Sequence, residues 1–89
     1  MDVRVEKIEQ FFREDGTLIS IPAKLPKRLA VLQRIADEFS PGKRYPEREL
    51  NEIVARFHED TAAIRRYMIE NHIMERDRDS NYWLANTIS

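Results

Sequence analysis

The stretch PERELNEIVARFHEDTAAIRRYM, residues 46–68, contains two helical patterns separated by a short turn. In its first half, apolar residues recur at the three- and four-residue spacing of one helix face: Leu50, Ile53, Val54 and Phe57. Pro46 suits the first turn of this helix, and Asp60 is placed to cap a second helix that runs to about Asn71. The second helix is predicted to bury Ile64, Tyr67 and Met68. Two helices joined by so short a turn are expected to pack antiparallel or at a steep angle.

Three further elements are predicted before this stretch. Residues 2–13 have the spacing of an amphipathic helix, with apolar side chains at Val5, Ile8, Phe11 and Phe12. Residues 17–21, TLISI, are rich in β-prone side chains and predict a short strand that Pro22 ends. Pro26 then suits the start of another helix, which the turn formers at 40–42 terminate. The apolar face of that helix consists of Leu29, Leu32, Ile35, Ala36 and Phe39.

A β-hairpin is predicted after the two central helices. Residues 73–84 contain alternating apolar and polar positions on either side of turn formers at 79–81. The order helix, helix, tight turn, helix, hairpin predicts one α+β domain over residues 1–89 with a winged-helix-like fold. Its helix-turn-helix core would carry the hairpin as a C-terminal wing, with an extra N-terminal helix and a short strand. Tyr82 and Trp83 point to opposite faces of their strand, and we expect Trp83 to pack in the core.

Composition limits the classes of protein to consider. The 89 residues are 42% hydrophobic and 35% charged, a balance typical of one soluble globular domain. The absence of cysteine excludes disulfides, thiolate zinc sites and cysteine nucleophiles. No apolar run reaches the ~20 residues needed to cross a bilayer, and the N-terminus carries charges where a signal peptide is apolar. We therefore expect a cytoplasmic protein without a membrane partner.

The balance of charge bears on nucleic-acid binding. Lysine and arginine number 15 against 16 acidic residues, a net charge of −1, whereas proteins that bind duplex DNA are usually basic. Residues 24–44 are locally basic, however, with six cations against two acids, a net +4. This segment predicts either a patch for phosphates or an ordinary solvated face.

The candidate DNA-binding residues lie on the last predicted helix and in the basic segment. On the helix, Arg65 and Arg66 are candidates for contacts to bases or phosphates, and Thr61 for donating to a phosphate. Further backbone contacts are expected from Lys24, Lys27, Arg28, Lys43 and Arg44. The alternative is that the two arginines pair with acids such as Glu70, or only solvate the helix.

Two protein partners are also compatible with the sequence. An interaction or effector module without DNA contact would present Ile69 and the mixed arginine face to another regulatory protein. A single copy with this net charge would bind DNA weakly, so a role in DNA binding favours a homodimer. Phe11 and Phe12 of the first predicted helix are the candidate dimer contacts.

No catalytic or metal site is predicted. His58, Glu59 and Asp60 gather an imidazole and two carboxylates at a turn, but neighbouring residues diverge in direction and no second group faces them. Polar residues at the start of a helix are usually caps, and His72 suits the negative end of a helix dipole. The two glycines form no phosphate-binding loop. We therefore expect neither enzymatic activity nor a cofactor.

A pattern of residues spans positions 11–84: Phe12, Asp15-Gly16, Ser20-Ile21-Pro22, Lys27-Arg28, Val31-Leu32, Phe39, Gly42, Tyr45, Glu49, Asn51, Phe57-His58, Asp60, Arg65-Arg66, Arg76 and Tyr82-Trp83. It resembles a bacterial family catalogued as a domain of unknown function, found alone or C-terminal to arsenical-resistance-type and other helix-turn-helix transcriptional regulators. The resemblance implies a regulatory setting and a winged-helix-like fold, without an established activity. It also implies that Tyr45 lies on a link that pairs with the wing, and that His58 and Asp60 are turn and cap residues. Pro26 and Leu84 depart from the family pattern, and both departures remove positive charge.

Overall fold

The computed structural model describes residues 8–85, which form three α-helices and a small antiparallel sheet of three strands. A 3₁₀ turn and six further elements follow along the chain: Glu9–Phe11 (3₁₀), Leu25–Ala36 (α1), Tyr45–Pro46 (β1), Glu47–Ala55 (α2), Thr61–Glu70 (α3), Met74–Arg76 (β2) and Asn81–Leu84 (β3). The predicted α+β class is confirmed. Within the described range, no helix combines the length and the apolar character that a membrane span requires.

The turn between α2 and α3 is built by two polar side chains. Asp60 is the N-cap of α3, and its Oδ1 accepts a hydrogen bond of 3.0 Å from the amide of Ala63. The Nδ1 of His58 accepts one of 3.0 Å from the amide of Asp60. Both bonds satisfy amides that the start of a helix leaves without partners. The expected turn and cap roles of His58 and Asp60 are confirmed.

The C-terminal end of α3 is a Schellman motif with an unusual residue in its left-handed position. The amide of Ile73 donates to the carbonyl of Met68 at 2.8 Å, and the amide of His72 donates to that of Ile69 at 3.1 Å. His72 has φ 59°, where glycine is normally found. The motif directs the chain from α3 into β2, and Met68 and Ile73 are both buried at its base.

The sheet has the strand order β1-β3-β2, so the N-terminal strand pairs with the last one. Tyr45 lies opposite Tyr82, which confirms that the link before α2 pairs with the hairpin. The side chain of Tyr82 is only 1% exposed. Trp83 is half-buried on the other face, and its Nε1 donates to Oε1 of Glu75 at 3.1 Å. The prediction that Trp83 packs in the core is wrong, because successive strand residues alternate and the core takes Tyr82.

One apolar core joins the helices to the inner face of the sheet. Its buried members are Leu18, Val31, Leu32, Ile35, Ala36, Phe39, Tyr45, Leu50, Val54, Ile64, Met68, Ile73, Met74 and Tyr82. Burial is confirmed for most of the apolar helix residues predicted from spacing: Leu32, Ile35, Ala36, Phe39, Leu50, Val54, Ile64 and Met68. Four others are only partly buried, namely Leu29, Ile53, Phe57 and Tyr67, and Val31 is buried although it was not predicted to be. Because α3 buries Ile64 and Met68 on one side, its opposite side faces outward.

The N-terminal segment differs from prediction. Residues 2–7 of the predicted first helix lie outside the described residues, and its remainder contains one 3₁₀ turn in place of an α-helix. The predicted strand at 17–21 is a single bridge between Phe12 and Leu18. The amide of Leu18 donates to the carbonyl of Phe57 at 2.6 Å, and that of Ile19 to Phe11 at 2.7 Å. Since consecutive amides bond to different parts of the chain, no regular ladder forms.

Candidate nucleic-acid interface

The outward side of α3 is narrow and mixed in character. At 100° per residue, Ala62, Arg66 and Ile69 fall roughly opposite the buried Ile64. Ala62 and Arg66 are exposed, whereas Ile69 is half-buried and packs partly against the core. The face therefore offers one small residue, one exposed cation and one apolar side chain, and either a DNA groove or a protein surface can accommodate it.

Arg65 and Arg66 lie in different environments although they are adjacent. Arg65 is half-buried, and its Nη1 donates a hydrogen bond of 2.7 Å to Oδ1 of Asn51 on α2. Arg66 is exposed and makes no hydrogen bond or ion pair within residues 8–85. In the same part of the chain, neither arginine is paired with Glu70. The side chain of Arg65 is thus held between α2 and α3, and that of Arg66 is available.

A second polar contact lies on the hairpin side of Arg65. The hydroxyl of Tyr82 donates to Oε1 of Glu47 at 2.9 Å. Burial raises the pKa of the Tyr82 phenol, and the hydrogen bond to Glu47 and the charge of that carboxylate raise it further, whereas the charges of Arg76 and Arg65 lower it. Arg65 is therefore close enough for its charge to act on the phenol of Tyr82.

The guanidinium of Arg28 contacts the chain that precedes α1 and an aromatic ring on α3. Its Nε donates to the carbonyl of Pro22 at 3.1 Å, and its Nη2 donates to that of Ala23 at 3.0 Å. The same guanidinium lies 4.5 Å from the ring centre of Tyr67 on α3. Lys24, the residue before α1, is exposed, and Lys27 is half-buried. The basic segment is therefore only partly available to a ligand.

Lys43 and Arg44 lie beside the sheet and have acidic partners. Lys43 forms an ion pair of 3.2 Å with Glu49 and lies 4.7 Å from the ring centre of Tyr45. Arg44 forms one of 3.5 Å with Asp77. The two cationic side chains remain 54% and 61% exposed, respectively. Pairs this exposed stabilise a fold little, so a phosphate can compete for either cation.

The tip of the hairpin is organised by Asp77. Its Oδ1 accepts hydrogen bonds from the amides of Asp79 at 2.9 Å and Asn81 at 3.0 Å. The pKa of the Asp77 carboxyl is lowered, first by the bond from the Asn81 amide and to a smaller extent by the charge of Arg44. Arg78 is exposed at this tip. The hairpin therefore presents two exposed cations, Arg76 and Arg78, beside the Asp77 carboxylate that organises its turn.

The remaining predicted residues are partly enclosed. Phe11 and Phe12 are half-buried and pack against the core, and the guanidinium of Arg34 lies 5.3 Å from the ring centre of Phe12. Thr61, the first residue of α3, is half-buried, and its amide donates to the carbonyl of Glu59 at 2.9 Å. Both phenylalanines thus have contacts within their own chain.

Asn51 was not among the candidate residues from sequence, although it holds Arg65. Its inclusion in the pattern of residues that resembles the bacterial family was the one signal in the sequence that set it apart from most other polar residues of α2. A bond between residues 14 positions apart has no local signal in the sequence. Knowing how α2 and α3 cross was necessary to find it.

Comparison with known proteins gives one match. The family model described as an uncharacterized protein conserved in bacteria, DUF2087, matches residues 17–84. No curated protein and no solved structure matches the sequence. The matched range contains α1, α2, α3 and the whole sheet, and so includes every element of the candidate interface. The chain therefore belongs to the DUF2087 family of bacterial proteins.

Proposed function

We propose that this chain is a winged helix-turn-helix module of a cytoplasmic bacterial transcriptional regulator, and that it binds double-stranded DNA. The observation that carries the proposal is the topology. The elements run α1, β1, α2, α3, β2, β3, and the short strand β1 pairs with β3 at the edge of the hairpin. In a winged helix with this arrangement, α3 is the recognition helix and the β2–β3 hairpin is the wing.

The outer side of α3 supports the same proposal. A recognition helix must approach base edges closely, which favours small residues such as Ala62 beside donors such as Arg65 and Arg66. Thr61 lies at the start of the helix, where a phosphate would also meet the positive end of the helix dipole. Lys24 and the exposed side chains of Lys43 and Arg44 would then supply contacts to the DNA backbone.

Charge sets the expected strength of binding. Because the whole chain has a net charge of −1 and two of its candidate cations are paired with acids, one copy should bind DNA weakly. Two copies would double the phosphate contacts, so the proposal includes a homodimer. Phe11 and Phe12 remain the candidate dimer contacts, and their packing against the core leaves only part of each ring for a partner.

The test is fluorescence anisotropy with labelled mixed-sequence duplex DNA at about 50 mM and about 200 mM salt. The variant Arg65→Ala/Arg66→Ala is compared with wild type. Arg56→Ala is the matched control, because Arg56 is exposed beyond the end of α2 and has no side-chain partner within the described residues. Binding that weakens with salt, falls in the double variant and survives in the control supports the proposal. No binding at tens of micromolar protein, within the range of roughly 10⁻⁴ to 10⁻⁶ M for non-specific complexes, contradicts it.

The second candidate is an interaction module of a regulatory protein without DNA contact. The observation that favours it is the number of candidate cations with partners in their own chain, namely Arg28, Lys43, Arg44 and Arg65. Such a module would present Ile69 with Ala62 to another protein. It predicts no salt-dependent DNA binding, together with loss of a co-purified regulator in an Ile69→Glu variant.

A further inference from the structure

Arg65 and Arg66 are adjacent on α3, but a hydrogen bond holds the side chain of Arg65 while the side chain of Arg66 is exposed. The guanidinium of Arg65 is fixed by the 2.7 Å bond from its Nη1 to Oδ1 of Asn51. Arg66 has no such bond within residues 8–85 and is exposed. The two side chains diverge by about 100° around the helix, so one DNA groove meets them in different ways.

Within the described residues, the bond to Asn51 uses one of the guanidinium donors of Arg65 and leaves the others for a ligand. Arginine has five N–H donors in a rigid plane, and one of them satisfies the Asn51 acceptor. The remaining edge suits the O6 and N7 acceptors of guanine, which lie in one plane in the major groove. A guanidinium already held in position loses less side-chain freedom when it binds a base.

A phosphate contact has no comparable need for fixed geometry. A phosphate attracts a mobile cation over a range of positions, and such contacts carry no sequence information. The side chain of Arg66 meets this requirement, because it is exposed and has no hydrogen bond or ion pair within residues 8–85. The held side chain of Arg65 and the exposed side chain of Arg66 therefore suit different kinds of contact.

We propose that Arg65 reads a guanine in the major groove, that Asn51 is the positioning residue that aims it, and that Arg66 contacts the DNA backbone. This inference rests on the proposed DNA-binding function. Loss of the Arg65 contact should reduce the preference for guanine by about 5- to 160-fold, the discrimination of one bidentate pair. Loss of Arg66 should lower affinity for all sequences and reduce the salt dependence by about one phosphate contact.

The test is selection from a duplex library with a randomised central segment, followed by affinity measurements on the enriched sequence and on a variant with its guanine replaced. Wild type is compared with Asn51→Ala, Asn51→Asp, Arg65→Lys and Arg66→Ala, after thermal unfolding has shown that each is folded. We expect Asn51→Ala and Arg65→Lys to lose preference for the guanine. Asn51→Asp retains an acceptor for Arg65, so it should keep the preference while its added charge weakens binding to every sequence. A merely structural role of Asn51 would not change the ratio of affinities between the two duplexes.

The other outcomes distinguish failure of this inference from failure of the proposed DNA-binding function. If wild type binds the library without preferring a guanine, or if folded Asn51→Ala keeps the full preference, the assignment of Arg65 and Asn51 is overturned and DNA binding stands. A preference lost only in Arg66→Ala reverses the proposed roles and also overturns the inference. If wild type binds no duplex at about 50 mM salt, both the proposed function and the inference fail.

Discussion

The hydroxyl of Tyr82 donates to the carboxylate of Glu47 at 2.9 Å, which joins β3 to the first turn of α2. The amide of Glu47 also donates to the carbonyl of Ser80 at 3.0 Å. Two bonds therefore attach the start of α2 to the hairpin. Since Asn51 on the same helix holds Arg65, the positions of the hairpin and of the candidate recognition residue are linked through α2.

Replacing Tyr82 with phenylalanine tests how much this attachment stabilises the fold. The side chain is 1% exposed, and a hydrogen bond to a charged group contributes about 1.5–3 kcal/mol. Because Glu47 is only half-buried and water can replace the phenol, we expect a loss of about 1–2 kcal/mol in the free energy of unfolding in urea. Tyr45→Phe is the comparison, since the Tyr45 hydroxyl accepts from the amide of Ser40, a neutral partner, and a bond to a neutral group contributes less than one to a carboxylate. Equal stability of Tyr82→Phe and wild type would contradict the prediction.

Alkaline pH should weaken the fold through the same phenol. Burial and Glu47 raise the pKa of Tyr82 in the folded protein, so folding favours the neutral phenol. Its contribution to stability is therefore complete below the unfolded value of about 10 and is lost as pH rises through the raised pKa. Urea unfolding between about pH 9 and 11 should show this loss, and Tyr82→Phe should remove its share. An identical alkaline slope in both proteins would show that other groups cause it.

His72 lies in the left-handed backbone region, so we predict that the protein is less stable than it would be with glycine at this position. Its φ of 59° costs a residue with a Cβ about 1–2 kcal/mol, and its side chain is exposed. Allowing for the greater freedom of glycine in the unfolded chain, His72→Gly should raise the free energy of unfolding by roughly 0.5–1 kcal/mol. His72→Val should lower it, because a β-branched residue tolerates this conformation poorly. Thermal unfolding of the two variants in opposite directions is the expected result.

Substitutions at Asp60 test how much the N-cap of α3 stabilises the fold. Asp60→Ala removes the acceptor for the Ala63 amide and should cost about 1 kcal/mol in urea unfolding. Asp60→Asn retains an acceptor oxygen and should lose much less. If both variants lose the same amount, the charge of Asp60 and not its hydrogen bond stabilises the helix.

Regular spacing made the helices of this protein predictable. The stripe at Leu50 and Val54 and the cap at Asp60 are local signals with their expected roles, whereas Pro46 occupies the N-cap position, one residue before the first turn of α2. The pairing of Tyr45 with the hairpin was also expected, but from a family resemblance and not from periodicity. Contacts within one helix turn are readable because residues three and four apart share a face.

Contacts between distant segments account for what was missed. Residues 17–21 are rich in β-prone side chains, yet the amides of Leu18 and Ile19 bond to two different partners, and a single bridge between Phe12 and Leu18 forms in place of a strand. Strand alternation required one of Tyr82 and Trp83 to face outward but did not say which. Arg28 looked like a surface cation because the ring of Tyr67 on α3 lies beside its guanidinium only after folding.

Trp83 provides a fluorescent probe of the candidate interface, because the chain contains one tryptophan. The guanidinium of Arg44 lies 4.2 Å from the centre of its ring and covers one face. Arg44→Ala should uncover this face and increase quenching by acrylamide, with a shift of the emission to longer wavelength. Lys43→Ala is the matched control, since Lys43 lies over Tyr45 instead. Unchanged quenching in Arg44→Ala would mean that the cation does not protect the indole in solution.

The same probe tests whether Arg44 leaves its partners for DNA. Its ion pair with Asp77 is exposed, so a phosphate can displace the carboxylate at little cost. If Arg44 contacts the DNA backbone, adding duplex to wild type should increase quenching of Trp83 towards the level of Arg44→Ala. Duplex should then have little further effect on the variant, and added salt should reverse the change in wild type. DNA that binds without altering the quenching would show that Arg44 stays on Trp83, and the backbone contacts would have to come from other cations such as Lys24 and Arg66.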